Sequence, residues 1–281
     1  MLGAADATVA LLPNRAESWA LKGEALSGIK NILWTASGEE IERTYEEALR
    51  LEPQNAAILF QLYQIATAGK NQSRAEMYLL RYVEAQKGNA YAHFCLAGYL
   101  ATNFVSEAAK SSRTPEQEQH EIGEIVRIVD RGVLASSYEP AHSPLEPTLI
   151  LRPSIALLSS LVPTYNIVRT EFADVVRAVL KFAKARADSD PALARRYSYS
   201  VLSLAKRVAA APYVSGSADS PSNSSKRIMN TIMWGMARSA YIVLLDILKK
   251  GGDANESARV EQEQKEYLVR ARDRIRQSRS R

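Results

Sequence analysis

Apolar residues recur along most of the chain at the spacing of an α-helix. In "AAILFQLYQIA", for example, Leu59, Leu62 and Ala66 fall on one helical stripe. Ala, Leu, Glu, Arg and Ser dominate the composition, with 13 glycines and 11 prolines among 281 residues, which favours helices over sheets. The pattern therefore predicts an all-α protein that is long enough to bury one large core or two ordinary ones.

Three stretches of the first half repeat one local order: a turn, an alanine, and then an apolar helical stripe. The alanines are separated by 40 and then by 34 residues. The longer interval contains "NILWTASGEE", which we interpret as a loop insertion, and a second helix lies between successive stretches. The three members are Pro13 with Ala16, Pro53 with Ala56, and Gly88 with Ala90.

A period of 34 residues made of two helices resembles the tetratricopeptide repeat. The resemblance covers residues 5–140, and it departs from the family pattern at Tyr63 and Tyr82, where that family has small residues. It implies a right-handed superhelix of stacked hairpins, in which small residues let paired helices approach closely. A generic array of helical hairpins is the alternative. The matching residues are Trp19, Gly23, Ala48, Pro53, Leu62, Ala75, Ala90, Leu96, Ala97, Ala135 and Pro140.

The first residues fit two interpretations. The segment "ADATVALL" (residues 5–12) stands where the second helix of an earlier repeat would end. The chain is then a piece of a longer protein, or the segment is a simple capping helix.

The second half of the chain follows a different pattern. Residues 141–163 are rich in proline and are predicted to form a connector with a short helix at about 154–161. Residues 164–281 then predict four longer helices, which form a separate bundle or degenerate repeats. One of these helices is predicted to begin at Asp190 and Pro191, and another to stop at Gly251 and Gly252. Residues 1–163 carry 14 Lys and Arg against 19 Asp and Glu, whereas residues 164–281 carry 22 against 12. The predicted domains are therefore repeats in 1–140, the connector, and a basic helical bundle in 164–281.

Residues suited to catalysis or metal binding are few and scattered. His93, His120 and His142 have no second potential ligand at helical spacing, and Cys95 falls on an apolar stripe, where burial is expected. The glycines do not form a phosphate-binding loop. We therefore expect a non-catalytic protein with no cofactor and no metal. An enzyme whose site is assembled from distant residues is the remaining alternative.

In the resembled family, partners bind in the concave groove lined by the first helix of each repeat. Carried over residue by residue, this implies a protein-interaction scaffold that binds an apolar or basic helix or an extended peptide. The groove would be acidic at one end and aromatic further along, and the alternative is that its aromatic rings pack against neighbouring helices. The groove residues are Glu17, Glu24, Phe60, Gln64, Thr67, Tyr91 and Phe94.

A run of arginines near the C-terminus offers a second function class. Such a run can bind phosphate groups, so a nucleic-acid-associated protein is the alternative to the scaffold. A solvated or frayed helix end explains the same run, because helix C-termini favour basic residues. The basic second half, or a copy of it in a homo-oligomer, is a further candidate partner for the acidic repeats. The arginines in question are Arg270, Arg272, Arg274 and Arg276.

The chain shows no secretory signal at its start, and its one cysteine excludes an internal disulfide. We therefore expect a cytoplasmic, bacterial-type protein, or an exported one if the N-terminus is cropped. The most apolar stretch, residues 228–248, contains Arg238 and Asp246. We interpret it as a buried helix rather than a membrane span.

Overall fold

A computed structural model describes residues 2–33, 37–108, 113–139, 164–210 and 223–277. These residues form helices with no strand among them, so the predicted all-α class is confirmed. The predicted connector lies outside the described residues. The helices are α1 (Leu2–Leu11), α2 (Ala16–Leu33), α3 (Gly38–Leu51), α4 (Ala56–Ala68), α5 (Gln72–Ala85), α6 (Ala90–Ala108), α7 (Pro115–Leu134), α8 (Thr164–Arg186), α9 (Pro191–Ala209), α10 (Asn223–Lys250) and α11 (Ala254–Gln277).

Short polar side chains fix where many of these helices begin. The Asn55 side chain accepts a hydrogen bond from the Ile58 amide at 3.2 Å, which caps α4. Asp190 caps α9 in the same way, and Pro191 follows at the first helical position. At the other end of a helix, Gly252 takes a left-handed φ of 72° directly after α10. Glycine adopts this conformation without a steric penalty, so the chain turns there.

Helices α1–α5 belong to the first of two compact units, which takes in residues 1–87. Helices α2 and α3 form one hairpin and α4 and α5 the next, with α3 packed on α4 and α1 packed on α2. Gly23 allows the first hairpin to close, since a Cβ there would lie 2.8 Å from the Tyr45 ring. The aromatic ring thus occupies the space that a larger residue at position 23 would fill.

Helices α6–α11 belong to the second unit, which contains residues 88–139 and 164–281. They pair as the hairpins α6–α7, α8–α9 and α10–α11. Each first helix packs on the next first helix, α6 on α8 and α8 on α10, and α7 packs on α9. The second unit by itself is therefore a set of three consecutive hairpins that pack on one another.

The division between the two units differs from the predicted one at residue 140. It falls between Lys87 and Gly88, within the third predicted repeat. The reason is that α6 packs extensively on α8. The rings of Phe94 and Phe172 meet edge to face at 6.1 Å, and the Thr102 hydroxyl donates to an Asp174 carboxylate oxygen at 3.1 Å.

Candidate partner-binding site

The two predicted groove residues on α2 are accessible. Glu17 is exposed in the first turn of the helix, and Glu24 is half-buried two turns later. Burial raises the pKa of Tyr45 well above its ordinary value, and the nearby Glu24 carboxylate raises it further. The acidic end of the predicted groove is therefore present at the surface of the first unit.

On α4 the aromatic groove residue is inside the fold. Phe60 is 1% exposed, and its ring lies 5.8 Å from that of Tyr63 and 5.1 Å from that of Tyr82. Gln64 and Thr67 are half-buried. The Thr67 hydroxyl donates to the Tyr63 carbonyl, whereas Gln64 Nε2 is buried without a hydrogen-bond partner among the described residues.

The groove residues on α6 are buried too. Tyr91 is 3% exposed and Phe94 is 0% exposed. Both rings pack on Tyr138, and Phe94 also packs on Phe172. The prediction of an aromatic contact surface is thus replaced by its alternative: Phe60, Tyr91 and Phe94 are packing residues, because neighbouring helices cover them.

An ion-pair cluster joins the two hairpins of the first unit. Arg74 on α5 pairs with Glu42 at 3.2 Å and with Glu46, both on α3. The Tyr78 hydroxyl donates to Glu46 at 2.7 Å, and the Arg74 guanidinium lies 6.0 Å from the centre of the Tyr78 ring. The cluster fixes α3 relative to α5.

The Glu42 carboxylate of this cluster should make the free energy of unfolding depend on pH. Burial raises the pKa of Glu42, while Arg74 lowers it and Glu46 raises it, with a net rise. A carboxyl whose pKa is higher in the folded state contributes stability below the pKa of the unfolded state and loses it as pH rises through the folded value.

We expect Glu42→Gln to remove that dependence. The quantity to compare is the free energy of unfolding of the variant minus that of the unsubstituted protein. This difference should increase as pH rises from about 4 to 7, because a glutamate with a raised pKa ionises in that range. Urea denaturation at several pH values measures the difference. Glu84→Gln on α5 is the control, because that side chain is 65% exposed and does not contribute to the pKa shift of Glu42. A difference that stays constant with pH would contradict the expectation.

A cavity of about 320 Å³ lies in the second unit, between the end of α9 and the last hairpin. Aromatic rings and small side chains form its walls, and two cations and one carboxylate face it. The lining residues are Lys206, Ala209, Ala210, Trp234, Tyr241, Glu263, Tyr267, Arg270 and Ala271.

Glu263 is the centre of the polar contacts in this cavity. Lys206 pairs with it, and the buried Tyr241 hydroxyl donates to it at 3.0 Å. Burial pushes the pKa of Glu263 upward, but the hydrogen bonds from Lys206 and Tyr241 outweigh burial and hold the pKa below its ordinary value. The pKa of Tyr241 is raised by burial and by Glu263. Glu263 is therefore a carboxylate and Tyr241 a neutral phenol at neutral pH.

Sequence reasoning missed this cavity, although a signal for it exists. Trp234 and Tyr241 are seven residues apart on α10, and Glu263, Tyr267 and Arg270 follow at intervals of four and three on α11. Each set shares one helix face. Nothing in the sequence shows that these two faces meet each other and the end of α9.

The predicted arginine run is only partly described. Arg270 and Arg272 are exposed on α11, and Arg270 lines the cavity. Arg274 and Arg276 lie on the same helix, but their side chains are outside the described ones. From Ala254 to Asp273, α11 carries four Lys and Arg against five Asp and Glu, so its described face has mixed charge.

Many basic side chains between residues 177 and 207 have partners within the second unit. Arg177 pairs with Asp174, and Arg196 pairs with Asp130. Others pair with acids on α11 or just before it, or keep their charge and donate to backbone carbonyls. These are Arg195 with Asp253 and Glu256, Lys206 with Glu263, Arg186 with the Pro115 carbonyl, and Arg207 with the Ala135 carbonyl.

The described residues contain no group of three or more His, Cys, Asp or Glu arranged to hold a metal ion. Cys95 is buried, as its place on an apolar stripe predicts. His93 is buried beside Gly132 and His120 is exposed, while His142 lies outside the described residues.

Within the described residues, one helical segment is long and apolar enough to cross a membrane by length and composition. It is Thr231–Lys250 in α10, and half of its most apolar window is buried inside the protein. The buried residues include Met233, Ala240 and Leu244. A core helix of a soluble protein meets the same criterion, so this is weak support for a membrane span.

Comparison with known proteins returns no match, either to a protein-family model or to a curated protein sequence.

Proposed function

We propose that this protein is a non-catalytic scaffold that binds a protein partner on the first-helix surface of its N-terminal unit. The stacked hairpins support the proposal, because such arrays present extended surfaces made of successive helices. The resemblance of residues 5–140 to tetratricopeptide repeats supports it as well.

The observation that carries the proposal is the accessible set of groove residues. Glu17 is exposed, and Glu24, Gln64 and Thr67 are half-buried. With the aromatic rings buried, this surface offers carboxylates and amides. It therefore suits a basic, polar segment better than an apolar helix.

Reversing the two acidic charges tests the proposal. We expect Glu17→Lys combined with Glu24→Lys to weaken partner capture at least tenfold, since each lost charge-assisted contact costs about 1.5–3 kcal/mol. The measurement is a quantitative pull-down with the unsubstituted chain and the variant side by side. Circular dichroism checks that both are folded.

A matched control distinguishes the loss of this local surface from a general effect of net charge on partner capture. Glu39 and Glu47 on α3 have side chains that are 83% and 45% exposed, and neither is a groove residue. Glu39→Lys with Glu47→Lys makes the same change in net charge and should retain the partners. Equal loss in both variants, or identical partners in all three chains, would contradict the proposed surface.

The nucleic-acid alternative has a separate test. It predicts retention on heparin or RNA that falls with salt and is lost on deleting residues 270–281. The mixed charge of α11 and the ion pairs of Arg177, Arg195 and Arg196 favour the scaffold over this alternative. Salt-sensitive retention that depends on those last residues would reverse the preference.

A further inference from the structure

The last helix, α11, packs on α10 but buries very little apolar surface. Among the described side chains of residues 254–273, Val260 is the only apolar one that is buried, and Val269 is 57% exposed. By contrast, α10 buries Met233, Leu244 and Leu248 among others. Since burial of apolar side chains is the main force that holds packed helices together, α11 gains little from it.

Charged and hydroxyl side chains hold α11 in place instead. Three of its glutamates pair with cations of α9 and α10, and two of the three also accept a hydrogen bond from a tyrosine hydroxyl. The side chains of these ion pairs are all at least 20% exposed, so dissolved ions reach them. The contacts are Arg195 with Glu256 at 2.8 Å, Lys206 with Glu263, Lys249 with Glu261 at 2.7 Å, and the hydroxyls of Tyr199 with Glu256 at 2.6 Å and of Tyr241 with Glu263 at 3.0 Å.

The second half of α11 faces a cavity rather than a closely packed surface. The cavity of about 320 Å³ has α11 on one side and the ends of α9 and α10 on the other. The rings of Tyr241 and Tyr267 meet beside it, with their centres 6.0 Å apart. Because side chains that line a void lose van der Waals contacts, this half of α11 adds little to the cohesion of the unit.

Two glycines form a natural hinge before α11. Gly251 and Gly252 separate α10 from α11, and Gly252 has a left-handed φ of 72°. A Cβ at Gly252 would meet no atom within 4 Å, so the backbone there is not enclosed. Since glycine moves between backbone regions without a steric penalty, α11 can rotate about this point while α10 stays helical.

We propose that α11 is a salt-sensitive cap, which swings about Gly251 and Gly252 and uncovers the wall that contains Trp234 and Tyr241. At low ionic strength the ion pairs keep the cap closed. Partly exposed pairs are individually weak and are screened by salt, so the open population rises with ionic strength. The other hairpins of the unit stay folded, because buried apolar residues hold them and salt does not screen apolar burial.

Hydrogen exchange of the full chain, followed by mass spectrometry in about 0.05 M and about 1 M sodium chloride, tests the proposal. At low salt the amides of α11 should exchange at least about tenfold faster than those of α10, since opening the cap requires less free energy than unfolding the unit. High salt should accelerate the amides of α11 by about a further tenfold, and those of α10 by less than about twofold.

Substitution of the cations shows whether the ion pairs control the opening. Lys206→Met removes one charge and keeps an apolar side chain, so α11 should exchange about tenfold faster at low salt and respond less to high salt. Lys249→Met, at a side chain that is 61% exposed, should give a smaller change in the same direction and serves if the first variant does not fold. Lys184→Met, exposed on α8, makes the same change in net charge and should alter the exchange of α11 less than about twofold.

Three results would overturn the proposal. Exchange in α11 as slow as in α10, or equal acceleration of both helices by salt, would show that α11 unfolds only together with the rest of the unit. Equal effects of Lys206→Met and Lys184→Met would show that net charge and not the ion pair controls the opening. The cap does not depend on the partner surface of the N-terminal unit, so Glu17→Lys with Glu24→Lys should leave the exchange of α11 unchanged.

Discussion

Phe94→Ala is expected to lower the free energy of unfolding by about 3–5 kcal/mol, which is typical of a buried phenylalanine reduced to alanine. Phe94 is 0% exposed, and its ring packs on Phe172 at 6.1 Å and on Tyr138 at 6.2 Å. Removing the ring leaves a cavity where α6 meets α7 and α8, which the surrounding helices fill only in part. The measurement is urea denaturation followed by circular dichroism.

The control for this prediction is Leu134→Ala. Leu134 lies on α7 in the same unit and is 84% exposed, so its truncation should change stability by no more than about 0.5 kcal/mol. A Phe94→Ala variant as stable as Leu134→Ala would show that the ring is not a packing residue. That result would favour the earlier prediction that Phe94 is a groove residue.

Gly132→Ala is expected to have the second largest effect, although it adds a single methyl group. A Cβ at position 132 would lie 2.4 Å from Phe94 Cε1 and 2.7 Å from Cδ1. Overpacking of this kind costs about 1–3 kcal/mol, and the better helix propensity of alanine offsets about 1 kcal/mol at most. We therefore expect a net loss of about 1–2 kcal/mol in the same denaturation experiment.

Gly235→Ala provides the matched control. Gly235 is also helical and belongs to the same unit, but a Cβ there would meet no atom within 4 Å. This variant should be as stable as the unsubstituted protein or more stable by up to about 1 kcal/mol. Combining Gly132→Ala with Phe94→Leu should give a less than additive loss, because the smaller side chain makes room for the methyl group. Strict additivity, or equal effects of the two glycine substitutions, would contradict the close contact.

The helical pattern of the sequence predicted the elements well, because it depends on local chemistry. Asp190 and Pro191 mark the start of α9, and Gly251 and Gly252 follow the end of α10, as their backbone preferences predict. Cys95 on its apolar stripe is buried, also as predicted. Each of these inferences uses a few neighbouring residues and needs no knowledge of the tertiary fold.

The aromatic residues predicted to line the groove are buried instead, and the reason is physical. A stripe of apolar residues shows that one helix face is covered, but it does not show how wide the covered face is. Phe94 belongs to the stripe of α6 itself, whereas Phe60 and Tyr91 stand next to the stripes of their helices. All three are covered: Phe60 packs on Tyr82, Phe94 packs on Phe172, and Tyr91 packs on Tyr138 in the segment after α7. Burial at the margin of a stripe depends on how closely the next helix approaches, which is a tertiary property.

The sequence by itself determined that the chain is helical, where several of its helices begin and end, and which residues belong to the apolar stripes. Only the tertiary structure decided that α6 and α7 join the second unit and that Lys206, Tyr241, Glu263 and Arg270 line one cavity. Helix periodicity and capping are set by interactions within a few residues. The pairing of faces from distant helices depends on close packing between side chains, which no local pattern encodes.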